Sequence, residues 1–375
     1  MINIIVYSVS ILITISFYNF SFSQELQTDS LATYETKNLY NNLRKISHKG
    51  TMFGHQDDML SGASWKNDTT RSDTKEAVGQ YPAVFGWDLG WLEIDESYNF
   101  GYLPFDKIRE CISLVYKRGG INTLSWHCNN PVNPKLSVRA NQPGINTIEK
   151  IFDDPENLLR YKRWLDKISD FLLSLKTEDG KLIPIIFRPF HENNGSWFWW
   201  GKDHCLPSEY IKLWRFTIDY LKNKKNVHNL IYAYSTDKFK NELEFLERYP
   251  GNDYVDILGF DLYKDEKDTN GTYFMKDAIS MTNMLRKIAI ERKKVYAISE
   301  TGFIHNTKIN LWTNNLAPVI KDSGLSYILC WRNSVGNYNW SIYPGDSSVY
   351  DFKIIYNNSN LLFLDSISKK KVYLP

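Results

Sequence analysis

LIPIIFRPFHE, residues 182–192, is apolar as far as Phe187 and then carries Arg188, His191 and Glu192. It is too apolar for a surface segment, and its charge collects at one end, as in a buried strand that opens onto a site. Seven other short runs share its character: TMFGHQ (51–56), PAVFGWDLGW (82–91), INTLSWHCN (121–129), NLIYAYS (229–235), VDILGFDLY (255–263), VYAISETG (295–302) and YILCWRN (327–333). Between them lie segments such as 157–176 and 207–223, with apolar residues at helical spacing and charges on the other face. The second of these opens on Pro207-Ser208-Glu209, a helix start. Strand alternating with helix implies a parallel sheet. Eight such units in a chain of this length predict an α/β fold of the (β/α)8 barrel type, usually about 250 residues plus insertions. The doubly wound alternative lacks its Gly-rich phosphate loop after the first strand. No low-complexity linker divides the chain, so one catalytic domain is expected over residues 24–375.

Polar and aromatic residues gather at the ends of these runs: His55-Gln56-Asp57, Trp87-Asp88, Trp126-His127, His191-Glu192, Asp261 with Tyr263, Ser299-Glu300 and Trp331-Arg332. In a barrel they meet at the C-terminal mouth, where active sites of this fold lie. Glu192 ends the fourth run and Glu300 the seventh. Each alone could be a satisfied core carboxylate. Together they suit glycosidic-bond cleavage, which needs one carboxylic acid to protonate the leaving oxygen and a second carboxylate on the other side of the sugar. Glu192 sits inside the aromatic stretch FRPFHENNGSWFWWG (187–201). Apolar walls from Phe190 and Trp197, with the like charge of Glu300, should raise its pKa and hold its proton. Glu300 needs donors, for which Tyr263, His191 and Arg188 are the candidates.

Composition narrows the partners. The net charge is +2 with both signs well mixed, so no nucleic-acid footprint is present. The 12 Trp and 24 Tyr suit sugar faces, which pack on aromatic rings. Residues 1–23 contain no Asp, Glu, Lys or Arg and end in Ser21-Phe22-Ser23, which reads as a secretory signal peptide cleaved after Ser23, with an uncleaved anchor as the alternative. Export to periplasm or medium follows, with no stable membrane insertion after cleavage. Cys128 and Cys330 fall in strand-like runs and are expected as buried free thiols. The cysteine spacings do not resemble a zinc site. His55, Asp57 and Asp58 lack a third partner at metal-ligand spacing, and Ser196 and Ser299 lack triad partners. No metal or cofactor is expected. The run Lys369-Lys370-Lys371 reads as a solvated tail.

The stretch 187–201 closely resembles the acid/base motif of glycoside hydrolase family 26, the β-mannanase family, and Ile298-Ser299-Glu300-Thr301-Gly302 resembles its nucleophile motif. The resemblance extends from Gly54-His55-Gln56-Asp57 to Trp331-Arg332-Asn333. It implies a (β/α)8 barrel and a retaining two-step mechanism, with Glu192 as acid/base and Glu300 as nucleophile. It also implies substrate contacts at His127, His191, Trp197, Asp261, Tyr263, Trp331 and Arg332. Trp87 and Trp91 are further candidates at the mouth. The implied substrate is a β-1,4-mannan, galactomannan or glucomannan cut internally by a monomer. An exo-acting mannobiose-releasing enzyme, a xylan or mixed-linkage glucan hydrolase and a non-catalytic carbohydrate-binding protein are the alternatives. The long insert at 130–181 is a candidate for walling off one end of a cleft.

Overall fold

The structure is a computed structural model, and it describes residues 27–133, 137–139, 146–303, 310–336, 338–358 and 360–375. The signal-peptide reading of residues 1–23 falls outside them. Eight parallel strands close on themselves: β1 (Thr51–Gln56), β2 (Val84–Asp88), β3 (Ile121–Trp126), β4 (Ile185–Pro189), β5 (Leu230–Thr236), β6 (Ile257–Tyr263), β7 (Val295–Gly302) and β8 (Tyr327–Cys330). Each pairs with the next, and β1 pairs with both β2 and β8, which seals the barrel. A short β9 (Leu361–Leu362) adds alongside the start of β1. The eight runs expected from sequence coincide with these strands to within a few residues at each end.

Helices cover the outside. In chain order they are α1 (Tyr34–Ser47), α2 (Asp73–Val78), α3 (Phe105–Lys117), α4 (Thr147–Asp153), α5 (Pro155–Ser174), α6 (Pro207–Asp219), α7 (Glu242–Leu246), α8 (Thr272–Arg292), α9 (Ala317–Ile320), α10 (Val349–Asn358) and α11 (Leu364–Ser368). The expected helix at 207–223 begins as α6 with Pro207 in its first turn and Glu209 accepting from the Leu206 amide at 2.6 Å. Its last turn widens into a π-type segment, Tyr220–Lys224. The described part of the 130–181 insert is mostly α4 and α5. α4 and α5 belong to the helical layer, while Arg139 of the insert lies over the Phe198 ring at 5.8 Å.

Two apolar clusters hold the fold. The larger fills the space between strands and helices and includes Trp126, Phe187, Trp199, Trp200 and Trp214. The smaller gathers at the opposite end from the mouth, where Leu39, Tyr40, Leu43 and Ile46 of α1 meet Ile121, Ile186, Ile231 and Ile257 at the strand starts. All residues of the eight barrel strands except Tyr263 are buried, as expected of a sheet covered on both faces. Small residues make room inside. A Cβ at Gly259 would lie 2.4 Å from Ser299 Oγ, so glycine there lets Ser299 point across to β6. All four cysteines are buried and free, Cys128 and Cys330 as expected.

Candidate active site

β4 delivers Arg188 and, just beyond its end, Glu192. The chain turns out of the strand through two strained residues, with φ of 49° at Phe190 and 53° at Glu192. Left-handed backbone at non-glycine residues costs energy and persists only when its surroundings over-determine it. Here they do. The Tyr210 hydroxyl donates to Phe190 O at 2.9 Å, and the Trp200 indole donates to His191 O at 2.8 Å. The Glu192 amide donates to Ser235 O at 3.1 Å, and the Asn193 side-chain amide reaches the same carbonyl at 3.1 Å. The aromatic stretch 187–201 is therefore both wall and clamp.

Glu300 arrives from β7. The ladder slips between Phe260 and Asp261 on the β6 side and between Ile298 and Thr301 on the β8 side. Such irregularities re-aim side chains, and this one turns Glu300 toward Glu192. One carboxylate oxygen from each of Glu192, Asp261 and Glu300 lies within 4.8 Å of the others. Arg188 bridges two of the three. It donates to Asp261 Oδ2 at 2.7 Å and to Glu300 Oε2. The Tyr263 hydroxyl donates to Glu300 Oε1 at 2.5 Å. Of the three donors expected for Glu300, Tyr263 and Arg188 reach it. His191 instead packs among rings, 4.6 Å from His127 and 5.2 Å from Phe198 between centroids.

Burial and nearby charge act strongly on Glu192. Burial pushes the Glu192 carboxyl well above its ordinary range, and the charges of Asp261, Glu300 and Asp237 push it further. The Trp197 indole opposes this by donating to Glu192 Oε2 at 2.6 Å. These influences favour the protonated form of Glu192, and Glu300 accepts hydrogen bonds from Arg188 and Tyr263. Burial also lowers the His191 pKa well below its usual value, helped by Arg188 and His127, so this ring stays neutral.

The remaining expected residues are only partly united. Half-buried His127 lies beside His191, and its Nδ1 bonds Asp88 Oδ2 at 2.7 Å. Trp331 stands 6.0 Å from the His127 ring. Arg332 caps the Phe100 ring at 5.3 Å and approaches Asp57 Oδ2 at 3.8 Å. Trp91 is half-buried, edge-on to Tyr98 and Tyr102. Two expectations need correction. Trp87 is fully buried, stacks on Phe85 and donates to Asn122 Oδ1 at 2.9 Å, so no face is left for a sugar. Asp261 is also fully buried, with its oxygens taken by Arg188 and by Ser299 at 2.9 Å. It positions Arg188 rather than touching substrate.

His55, Asp57 and Asp58 do not converge. His55 Nδ1 bonds Asp58 Oδ1 at 2.8 Å, while Asp57 turns toward Arg332. Burial pushes the Asp57 carboxyl up to about 7, against the pull of Arg332. Sequence reasoning missed Asp88 as the partner of His127, although its place at a strand end was visible. It also missed Trp340, whose ring packs 4.7 Å from Tyr263, and Asp237 beside the acid. Trp340 lies in the loop after β8, and no periodicity marked it.

Two glutamates with carboxyl oxygens within 4.8 Å of each other, at the mouth of such a barrel, are the arrangement of a glycoside hydrolase. Residues 28–318 match the sequence profile of glycosyl hydrolase family 26, and the chain belongs to that family. A mannan endo-1,4-beta-mannosidase of Bifidobacterium adolescentis is 32% identical over 369 residues, covering 89% of this chain and 35% of its own length. The chain thus spans about a third of that relative. A Bacillus subtilis (strain 168) protein of the same name is 30% identical and covers 85% of this chain and 82% of its own. A solved family 26 β-mannanase from Bacteroides ovatus superposes with a TM-score of 0.85 at 38% identity, over 90% of this chain and 97% of that one.

Proposed function

We propose that this protein is a retaining endo-β-1,4-mannanase with Glu192 as acid/base and Glu300 as nucleophile. The observation that carries the reading is the short Glu192–Glu300 separation, with carboxylate oxygens within 4.8 Å. Retaining enzymes hold their carboxyl groups about 5–5.5 Å apart, whereas inverting ones leave room for a water at roughly 6.5–9.5 Å. The mannan substrate is taken from the names of the relatives above.

The steps follow from the geometry. Glu192 gives its proton to the glycosidic oxygen as that oxygen leaves. A Glu300 oxygen attacks the anomeric carbon and forms a glycosyl ester. Arg188 and Tyr263 fix the attacking carboxylate in place. Ester formation removes the charge on Glu300, one of the causes that raise the Glu192 pKa. Glu192, now an anion with a lower pKa, takes a proton from the incoming water. Water attacks the same carbon, the ester bond breaks, and Glu300 returns as a carboxylate. His127 and His191, with Trp197, Trp331 and Trp91, offer polar edges and ring faces to the sugars, and Arg332 a distal contact.

Residues 1–23 act as an export signal, and the mature enzyme works as a monomer in periplasm or medium. The Thr28 amide donates to Asp256 Oδ1 at 2.7 Å. Among the described residues, no helix is long and apolar enough to cross a membrane.

The test is the product time course of residues 24–375 on mannohexaose, with xylohexaose as control and Glu300→Ala beside the wild type. Mixed product lengths at early times are expected from the wild type. Glu300→Ala should lose at least about 10³-fold in turnover while still binding mannohexaose. Mannobiose alone from the start would replace the endo mode with an exo mode. Cleavage of xylohexaose alone would overturn the substrate.

A further inference from the structure

A cavity far from the reaction lies between the C-terminal turns of α1 and α8, over the start of β7. Val295 and Tyr296 contribute to it from the beginning of that strand, whereas Glu300 sits toward the other end. Its volume of about 320 Å³ is at the lower end of the roughly 300–1,000 Å³ of small-molecule sites. Helical spacing aims its walls. Arg44, Ser47 and His48 recur at i, i+3 and i+4 at the end of α1, and Arg286, Ala289 and Ile290 do the same on α8. The chain then leaves α8 through a left-handed turn, with φ of 57° at Lys293, which adds Lys293 and Lys294 to the wall.

The wall has one sign. Arg44, Arg286, Lys293 and Lys294 line the cavity with no carboxylate among its walls, in a chain whose net charge is only +2. The bland explanation is that they complement two helix C-termini. Each such end carries about half a negative charge, so two of them offset about one cation. The end of α8 is also capped already: the Lys293 amide bonds the carbonyls of Ala289 and Ile290, and the Lys294 amide bonds Ala289 O at 2.8 Å. Among the described residues, Arg286, Lys293 and Lys294 have no carboxylate in ion-pair reach. Arg286 donates to Asp322 O at 3.3 Å and Lys294 to Asn252 O at 2.8 Å, both backbone carbonyls. Burial lowers the Lys294 pKa, against the pull of Asp256 and Asp253 and with help from Arg44. Asp256 is itself spent on the Thr28 and Tyr232 amides, at 2.7 and 2.8 Å. A bound anion would relieve the repulsion, whereas a metal cation would add to it and a neutral ligand would leave it standing. Guanidinium forks and ammonium donors match tetrahedral phosphate oxygens. Ile290, 66% exposed, offers an apolar rim to the organic part of a phosphate ester.

We propose that this cavity binds a phosphate group, from a soluble phosphate or from the headgroup of an anionic lipid. The proposal is independent of the mannanase reading, because the cavity lies at the opposite end of the strands from Glu192 and Glu300. A soluble phosphate held there would tie α1 to α8 and stabilise the folded chain by mass action. A lipid headgroup held there would seat the floor of the barrel on an anionic surface and leave the mouth facing away from it.

The test uses residues 24–375 and the double variant Arg286→Glu/Lys293→Glu. Inorganic phosphate is titrated into each by calorimetry, with ionic strength held constant by sodium chloride. Wild type should bind phosphate, and the double variant should bind it at least about tenfold more weakly. Sedimentation with vesicles of phosphatidylglycerol and phosphatidylcholine, against phosphatidylcholine alone, then separates the two sources. Sedimentation with the anionic vesicles that the double variant abolishes assigns the site to a lipid headgroup. Phosphate binding without sedimentation assigns it to a soluble phosphate. Wild type that neither binds phosphate nor sediments would overturn the proposal, as would a double variant that matches wild type in both. Arg286 and Lys293 are exposed, so the double variant should fold normally, as circular dichroism would verify.

Discussion

At the scale of single residues, the decisive contest is over the Glu192 proton. Burial and three neighbouring carboxylates raise its pKa, and the Trp197 indole, as a donor to the carboxylate form, lowers it. The alkaline limb of kcat/KM reports deprotonation of this acid in the free enzyme. It should therefore lie above the ordinary carboxylate range. Trp197→Phe keeps a ring but removes the N–H, and with it this opposing hydrogen bond. The pKa should rise further, and the alkaline limb should move to higher pH. Activity at the plateau should fall severalfold, because the donor also orients the acid. That is less than the roughly 10²–10⁴ lost when a general acid is removed outright. A pH–rate profile checks the direction. A limb that stays put or moves to lower pH would show that Trp197 does not act on the acid through this hydrogen bond.

At the scale of elements, the strands were legible because a parallel barrel buries both faces of each strand and leaves continuous apolar runs. Charge at the strand ends revealed the mouth. The reading failed where facing mattered. Trp87 and Asp88 are adjacent, and neighbours in a strand point to opposite faces, so both could not serve the site. Asp88 reaches His127, which sends Trp87 out to Asn122, whose amide in turn holds Ile112 O on α3 at 3.2 Å. Asp261 misled differently. Its place in the motif was right, but its burial against Arg188 depends on the strand-slip at β6 and β7, which no local pattern encodes. Trp340 comes from a loop that meets Tyr263 only after the barrel closes. The facing of Trp87 has a measurable consequence. Trp87→Ala empties a packed site and takes the donor from Asn122 Oδ1, so it should destabilise the fold by about 3–5 kcal/mol. Folded enzyme should keep a near-normal kcat. Denaturant unfolding together with active-site titration checks this, and a large kcat loss at unchanged stability would return Trp87 to the substrate cleft.

At the scale of the whole molecule, the barrel needs a floor as well as a mouth, and chain segments far apart in sequence build it. The end of α1 and the last residues of the chain meet there. Lys369, Lys370 and Lys371 are exposed, as a charge run should be, but the chain does not fray after them. Val372 and Tyr373 are buried in the cluster with Leu39, Tyr40 and Leu43. Asn42 donates to Val372 O at 2.9 Å and to Leu374 O at 2.7 Å, Asn38 donates to Tyr373 O at 3.1 Å, and the Tyr373 hydroxyl donates to Gly120 O at 2.5 Å. A charge run near a terminus conceals this clasp, because only two buried residues follow it. Deleting residues 372–375 removes the buried Val372 and Tyr373 side chains, whose burial is worth about 1.5–3 kcal/mol each, and leaves Asn38, Asn42 and the Gly120 carbonyl without these partners. The truncated enzyme should lose roughly 3–6 kcal/mol of stability by that area argument, with a clear fall in Tm. The floor lies at the opposite end of the strands from Glu192 and Glu300, so kcat on mannohexaose at moderate temperature should hold. Loss of kcat without loss of Tm would mean that the floor controls the geometry of the mouth. An unchanged Tm would mean that α1 alone closes the barrel.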